Sequence, residues 1–203
     1  GETFVVFGNG TRPTGAIQLS SIASGTGGFV VRGAGSSDQS GMSVAGAGDM
    51  NGDGIADFVI GAGPADGIGD LRISSGEAYV IFGKTTPFGA AIDLSGVVAG
   101  TGGFAVLGRS SGDLLGGSVT SVGDVNGDGL ADIMIGASLA DGLYETLPDG
   151  GNAFVVYGRA GTDGTPIDLA ALTPAQGFAI GAADASDRAA FSVTGAGDIN
   201  GDG

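Results

Sequence analysis

Asp49-Met50-Asn51-Gly52-Asp53-Gly54-Ile55-Ala56-Asp57 recurs as Asp124-Val125-Asn126-Gly127-Asp128-Gly129-Leu130-Ala131-Asp132, and its first six residues return as Asp198-Ile199-Asn200-Gly201-Asp202-Gly203. The offsets are 75 residues (49 to 124) and 74 residues (124 to 198). The same period governs the rest of the chain. Phe4-Val5-Val6-Phe7-Gly8 returns as Tyr79-Val80-Ile81-Phe82-Gly83 and as Phe154-Val155-Val156-Tyr157-Gly158. Ile17-Gln18-Leu19 returns as Ile92-Asp93-Leu94 and Ile167-Asp168-Leu169. Gly28-Phe29 becomes Gly103-Phe104 and Gly177-Phe178. A fixed period of this length marks a repeat architecture.

Each repeat reads as four short strands. In the second they lie near Ser43 to Ala47, Phe58 to Ile60, Ala78 to Phe82 and Gly103 to Leu107, bounded by Gly, Asp, Ser and Pro clusters. Four strands per repeat describe a propeller blade. The excess length falls in long loops, such as Ala62 to Gly76 and Lys84 to Ile92. A calcium-loaded parallel β-helix would need a nonapeptide repeat, and separate tandem domains would need linkers; the sequence has neither. The expected fold is all-β: propeller blades of four antiparallel strands. Residues 1–33 are the end of a first blade, 34–108 a second, 109–182 a third, and 183–203 the start of a fourth repeat. About eleven strands, just under three blades, cannot close a ring of four to eight, so the chain is expected to be part of a longer protein. Its cut edges predict aggregation or self-association.

The pattern D-x-N-G-D-G-x-x-D has a coordination rationale. Calcium takes six to eight oxygens at roughly 2.3–2.6 Å. The oxygen-bearing side chains at positions 1, 3 and 5 turn inward together only if the backbone coils tightly, and glycines at 4 and 6 permit that. Position 7 can offer its carbonyl, and position 9 a closing carboxylate. The expected ligands are Asp49, Asn51, Asp53, Asp57 and the Ile55 carbonyl in one loop. The second uses Asp124, Asn126, Asp128, Asp132 and the Leu130 carbonyl; the third retains Asp198, Asn200 and Asp202. An EF-hand would end in Glu at position 12, but Ile60 and Ile135 stand there. The competing reading is an Asx-rich turn that needs no metal. Magnesium fits less well because it demands octahedral geometry and keeps its water.

Composition narrows the function. Net charge is −15, with 22 acids against 7 bases, so there is no basic stripe for nucleic acid and an anionic membrane would repel the chain. With no cysteine and no histidine, disulfides, thiolate sites and the commonest general base are excluded. No apolar run is long enough to cross a bilayer. Glycine, at 45 residues, is about three times its usual share without a three-residue period, which fits many turns and excludes collagen.

On these residues the chain resembles the FG-GAP repeat of integrin α-subunit propellers and bacterial surface proteins. The resemblance rests on the Asp-Asn-Asp loop, on Phe58-Val59-Ile60-Gly61-Ala62 and Ile133-Met134-Ile135-Gly136-Ala137 after it, and on the Tyr79-to-Gly83 strand. The name-giving motifs are altered: Gly41-Met42, Gly116-Gly117 and Phe191-Ser192 stand for Phe-Gly, and Gly-Ala-Pro is relaxed to Gly61-Ala62-Gly63-Pro64 and Gly136-Ala137-Ser138. The resemblance implies structural calcium and, usually, seven blades. Near-identical copies without cysteine point to the bacterial kind.

The recurring acids Asp38, Asp113 and Asp187, and Asp66 and Asp141, read as turn caps rather than ligands. The recurring Phe29, Phe104 and Phe178 read as core. Acids that repeat with the blade argue against a catalytic pair, which is needed once. The expectation is a non-enzymatic, calcium-binding structural or adhesion module of a secreted or cell-surface protein, meeting a protein or glycan at a cell surface or matrix. Two other functions stay open. One is a carbohydrate-binding propeller, for which Leu143, Tyr144 and Glu145 are the non-repeating candidates. The other is an accessory domain of a larger extracellular hydrolase or lyase.

Overall fold

The computed structural model describes residues 1–8, 10, 15–67 and 71–199. Its central sheet begins with β3 (Ser43–Gly48), β4 (Asp57–Ala62), β5 (Glu77–Ile81) and β7 (Gly103–Leu107), an antiparallel meander in the order β7-β5-β4-β3. The third repeat builds the same sheet from β8 (Leu115–Gly123), β9 (Asp132–Ala137), β10 (Asn152–Val156) and β12 (Gly177–Gly181). The first contributes the antiparallel pair β1 (Glu2–Val6) and β2 (Gly28–Arg32). The protein is a partial β-propeller, and its strands fall on the apolar runs that predicted them.

Blades bury both faces, which explains why the strands read as continuous apolar runs rather than alternating ones. Along β5, Tyr79 and Ile81 join Phe29, Val31, Ile60 and Leu94 in one core. Ala78 and Val80, on the other face, join Phe104, Val106, Ile133, Ile135, Phe154 and Val156 in a second. The two cores are the two seams between consecutive blades. Phe29 and Phe104 are sealed in them, as expected, but Phe178 is 43% exposed.

Two short strands were not foreseen. β6 (Ala91–Asp93) runs parallel to β2, and β11 (Ile167–Asp168) runs parallel to β7. Each repeat thus lends a clasp to the outer edge of the blade before it. In the sequence, Ile-Asp-Leu was only a marker of the period, because two or three residues show no periodicity. The end of the expected loop Lys84 to Ile92 therefore already belongs to a strand. The clasp turns at once into α2 (Leu94–Val98) or a 3-10 turn at Leu169–Ala171, and α1 (Leu19–Ala23) is the first-repeat version. Asp93 and Asp168 cap these turns, accepting the N–H bonds of Ser95 and Ala170 at 2.9 Å each.

The expected eleventh strand is a correction. Among the described residues no strand follows β12. The 189–195 segment lies along β8 instead, where Val193 N–H donates to Ser118 Oγ at 3.1 Å and Gly195 N–H to Thr120 Oγ1 at 3.4 Å. β3 and β8 pair with β4 and β9, the strands beyond their Asp loops; among the described residues no strand pairs with this segment.

Arg72 holds the second clasp. Its guanidinium forks onto both Asp168 carboxylate oxygens, with Nη1 2.8 Å from Oδ1, and also donates to the Gly108 carbonyl. The Asp168 fork holds the Arg72 pKa up, and Arg72 holds that of Asp168 down. Both side chains are about one-third exposed, so screening limits the gain. Arg72→Ala is expected to cost about 1 kcal/mol and to raise amide exchange selectively at 167–171, read by hydrogen–deuterium exchange.

Candidate metal centre

The two complete Asp loops connect β3 to β4 and β8 to β9. Both coil the same way because the same amides meet the same acids. Asp49 Oδ1 accepts from Gly52 and Asp53 N–H at 2.7 and 3.1 Å, and Oδ2 from Gly54 N–H at 2.8 Å. Asp124 repeats this with Gly127, Asp128 and Gly129 at 2.8, 3.1 and 2.8 Å. The Gly129 amide leads its neighbours in holding the Asp124 carboxyl below its usual range. At position 5, Asp53 accepts from Ile55 N–H at 2.8 Å and Asp128 from Leu130 N–H at 2.9 Å. Asn51 Oδ1 accepts from Asp53 N–H, and Asn126 Oδ1 from Asp128 N–H, at 3.0 and 2.9 Å. Gly52 and Gly54 sit at φ +77° and +84°, Gly127 and Gly129 at +76° and +88°, the left-handed region that the coil demands.

Position 9 does more than its place in the pattern suggests. Asp57 is buried; its Oδ2 accepts from Met50 N–H at 2.8 Å and its Oδ1 from Gly83 N–H at 2.7 Å. Asp132 likewise joins Val125 and Gly158, at 2.8 Å each. One carboxylate therefore staples the start of the loop to the end of the blade's third strand. Burial pushes the Asp57 and Asp132 pKa values up. The two amides on each oppose that push, and the acids at positions 5 and 1 add to it.

The first loop also sits against the next repeat. Ala131, Arg159 and Gly161 N–H groups donate to the Asp49, Met50 and Asn51 carbonyls at 2.9, 2.8 and 2.8 Å. This covers Asn51, which is 3% exposed, while Asn126 in the second loop is exposed.

The expected ligands of each complete loop thus lie along one turn between the first and second strands of a blade. Asp198 begins the third loop; Asn200 and Asp202 lie outside the described residues. As placed, no three acid side chains among the described residues converge closely enough to enclose a cation. The carboxylates face the loop amides, the arrangement of an Asx turn. The donor set nonetheless fits calcium in kind. It is all oxygen, three carboxylates and one amide per loop, and the carboxylate oxygens keep lone pairs beyond the amide bonds. None of the ion pairs described involves an acid of the two complete loops.

Four of the five other recurring acids, all but Asp38, are seen to cap turns. Asp113 accepts from Ser110 N–H, Asp187 from Asp184, Asp66 from Ser74 and Asp141 from Asp149. Asp113 is 4% exposed, and burial lifts its pKa to about 6, helped by Glu145 and Asp141 and opposed by Ser110 N–H and Arg109. Its folded pKa lies above the ordinary unfolded value near 4. The native state therefore binds the extra proton, and this contribution to stability is full below about pH 4 and lost as pH rises through about 6. Asp113→Asn is expected to remove that decline. Its melting temperature should gain on wild type steadily from pH 4 to 7, and parallel profiles would contradict the assignment.

Of the non-repeating trio, two members hold the loop itself. The Leu143 carbonyl accepts from Arg109 Nη1 at 2.7 Å, and Glu145 accepts from Ser110 Oγ at 3.2 Å, leaving Tyr144 projecting alone at 83% exposure.

No helix among the described residues is long and apolar enough to cross a membrane. Comparison with curated proteins returned no match. The family model described as FG-GAP repeat matches residues 40–81 and 116–157. Each matched segment runs from the first strand of a blade, through its Asp loop, to the end of the third strand or just beyond it. The chain carries two FG-GAP repeats, laid out as consecutive blades of a partial propeller.

Proposed function

We propose that this chain is a calcium-binding, non-catalytic structural and adhesive propeller module of a secreted or cell-surface protein. One observation carries the reading: each complete loop carries three carboxylates within nine residues, one of them buried, with no cationic side chain paired to them among the described residues. Asp49, Asn51, Asp53, Asp57 and the Ile55 carbonyl would hold one ion. Asp124, Asn126, Asp128, Asp132 and the Leu130 carbonyl would hold the second, and Asp198, Asn200 and Asp202 would contribute to a third. Bound calcium supplies the positive charge that relieves repulsion among the acids. The loop amides orient the carboxylates, and the position-9 acid transmits the order of the loop to the blade.

Extracellular calcium modules bind at about 10⁻⁴–10⁻³ M, so such loops fill outside a cell and stay largely empty in the cytosol. The proposed partners, a protein or glycan at a cell surface or matrix, belong to the same setting.

Calorimetric titration and melting with calcium, magnesium or chelator test the reading. At ten times its Kd, calcium stabilises by roughly 1.4 kcal/mol per loop. For two loops in a chain of this size, that raises the melting temperature by about 5–10 °C. Magnesium should do much less. Equal melting in calcium and chelator, with no titration heat, would reject it.

A further inference from the structure

We propose that the two complete Asp loops order as one unit across the seam between the second and third blades, so that filling either loop raises the affinity of the other. The proposal rests on the calcium reading of the loops and adds that their filling is coupled. Two peptide groups in series carry it. The peptide joining Leu130 to Ala131 holds the expected position-7 ligand of the second loop on its oxygen side. On its nitrogen side the Ala131 N–H donates to the Asp49 carbonyl, in the first loop, at 2.9 Å. The peptide joining Asp49 to Met50 accepts that bond and passes its own N–H, that of Met50, to Asp57 Oδ2 at 2.8 Å. Asp57 is the closing acid of the first loop, and both it and Met50 are buried.

A peptide group is planar, so its carbonyl and N–H turn together. When the Leu130 carbonyl is held, the Ala131 N–H is held too, and with it the orientation of the Asp49–Met50 peptide and the Met50 N–H bond to Asp57. Hydrogen bonds in series away from water also polarise one another, which strengthens each link when its neighbour forms. Simple packing would make the two loops neighbours. What couples them is that the bonded groups are the ones that carry or orient the expected ligands.

Gly158 and Arg159 add a second link. Their consecutive N–H groups reach different loops: Gly158 donates to Asp132 Oδ1, and Arg159 to the Met50 carbonyl, at 2.8 Å each. The closing acid of the second loop is thus one residue away from a bond that holds the first. The fit leaves little slack. A methyl at Gly158 would stand 2.6 Å from the Ala131 carbonyl oxygen and from Leu130 Cβ, and 2.9 Å from the Met50 carbonyl oxygen. Arg159 is itself anchored in the seam, its guanidinium 4.2 Å from the centre of the Phe104 ring and its Nη2 donating to the Thr165 carbonyl at 2.6 Å. Ser121 Oγ stands 3.3 Å from both the Ala47 carbonyl, just before the first loop, and the Asp132 carbonyl.

Calcium titration of wild type, Asp53→Ala and Asp128→Ala tests the coupling, because each variant keeps one complete loop. Calorimetry gives the Kd of the loop that remains, and the Gly54 and Gly129 amide signals in nuclear magnetic resonance resolve the two loops in wild type. The remaining loop should bind roughly five- to tenfold more weakly than the same loop in wild type, by about the same factor in both variants, as linkage requires. A second measurement needs no metal. In chelator, Asp132→Asn should speed exchange of the Met50 amide, in the other loop, several-fold more than that of Tyr79, which sits mid-blade in β5 and reports global opening. Calcium binding at both loops with each Kd unchanged by loss of the other overturns the proposal and leaves the calcium reading standing. Exchange at Met50 that only tracks Tyr79 also overturns it. If wild type gives no heat with calcium, the calcium reading falls, and the exchange result alone decides whether the loops order together.

Discussion

Gly61→Ala is expected to lower the stability of the protein by about 3 kcal/mol or more, measured by urea unfolding. A methyl at Gly61 would stand 2.0 Å from the carbonyl oxygen of Gly116 and 2.3 Å from Ser43 Oγ. Gly61 lies on β4 and Gly116 on β8, so the clash falls where the second blade meets the third. Ser43 Oγ already donates to that carbonyl at 2.8 Å, which leaves no room for either group to retreat. Relief requires the blades to part, opening the core that holds Phe104, Val106, Ile135 and Phe154. Gly136 is its counterpart one repeat later, and a methyl there would stand 2.1 Å from the Ala190 carbonyl. That carbonyl belongs to the strand-free 189–195 region, which can shift. Gly136→Ala should therefore cost about 1 kcal/mol. Equal losses for the two variants would show that the blade seam is not what enforces glycine.

The blade could be read from the sequence because its strands are buried on both sides. Phe58-Val59-Ile60 and Tyr79-Val80-Ile81-Phe82 stand out as apolar runs, and glycine and aspartate punctuate them. The clasp could not. Ile167-Asp168 is too short to show a period, and what makes it a strand is the edge of β7, some sixty residues earlier in the chain. The same limit hid the Arg72–Asp168 fork, because position 72 is Arg in one repeat and Leu147 in the next. The 189–195 segment repeats the residues of β3 and β8, yet among the described residues it pairs with no strand through its backbone.

The loop was legible as a coil of acids around glycines because its geometry is local: every amide that Asp49 and Asp124 accept from lies within five residues. The partner of the position-9 acid is not local. Asp57 reaches Gly83, and Asp132 reaches Gly158, each twenty-six residues on. One signal could have found it: Gly83 and Gly158 follow every third strand and recur with the loops. In the sequence they mark only the end of that strand.

That second role makes Asp57→Ala the most damaging loop substitution, even in chelator. The change strands two amides, of Met50 and Gly83, in buried positions. Each buried donor left without an acceptor costs about 1–3 kcal/mol. Relief of a desolvated carboxylate offsets part of this, and a net loss of about 3 kcal/mol is expected. Asp53→Ala removes an acid of the same charge from the same loop. Asp53, however, accepts at the exposed turn, from Ile55 N–H and Asn51 Nδ2, so the metal-free loss should stay near 1 kcal/mol. Both variants should lose the calcium-dependent gain at that loop, because both remove a proposed ligand. Unfolding in chelator thus isolates the staple, and the difference between calcium and chelator isolates the metal. Similar losses for the two variants in chelator would reduce position 9 to a ligand and nothing more. A calcium response that survives in Asp53→Ala but vanishes in Asp57→Ala would instead tie the metal to the staple rather than to the coil.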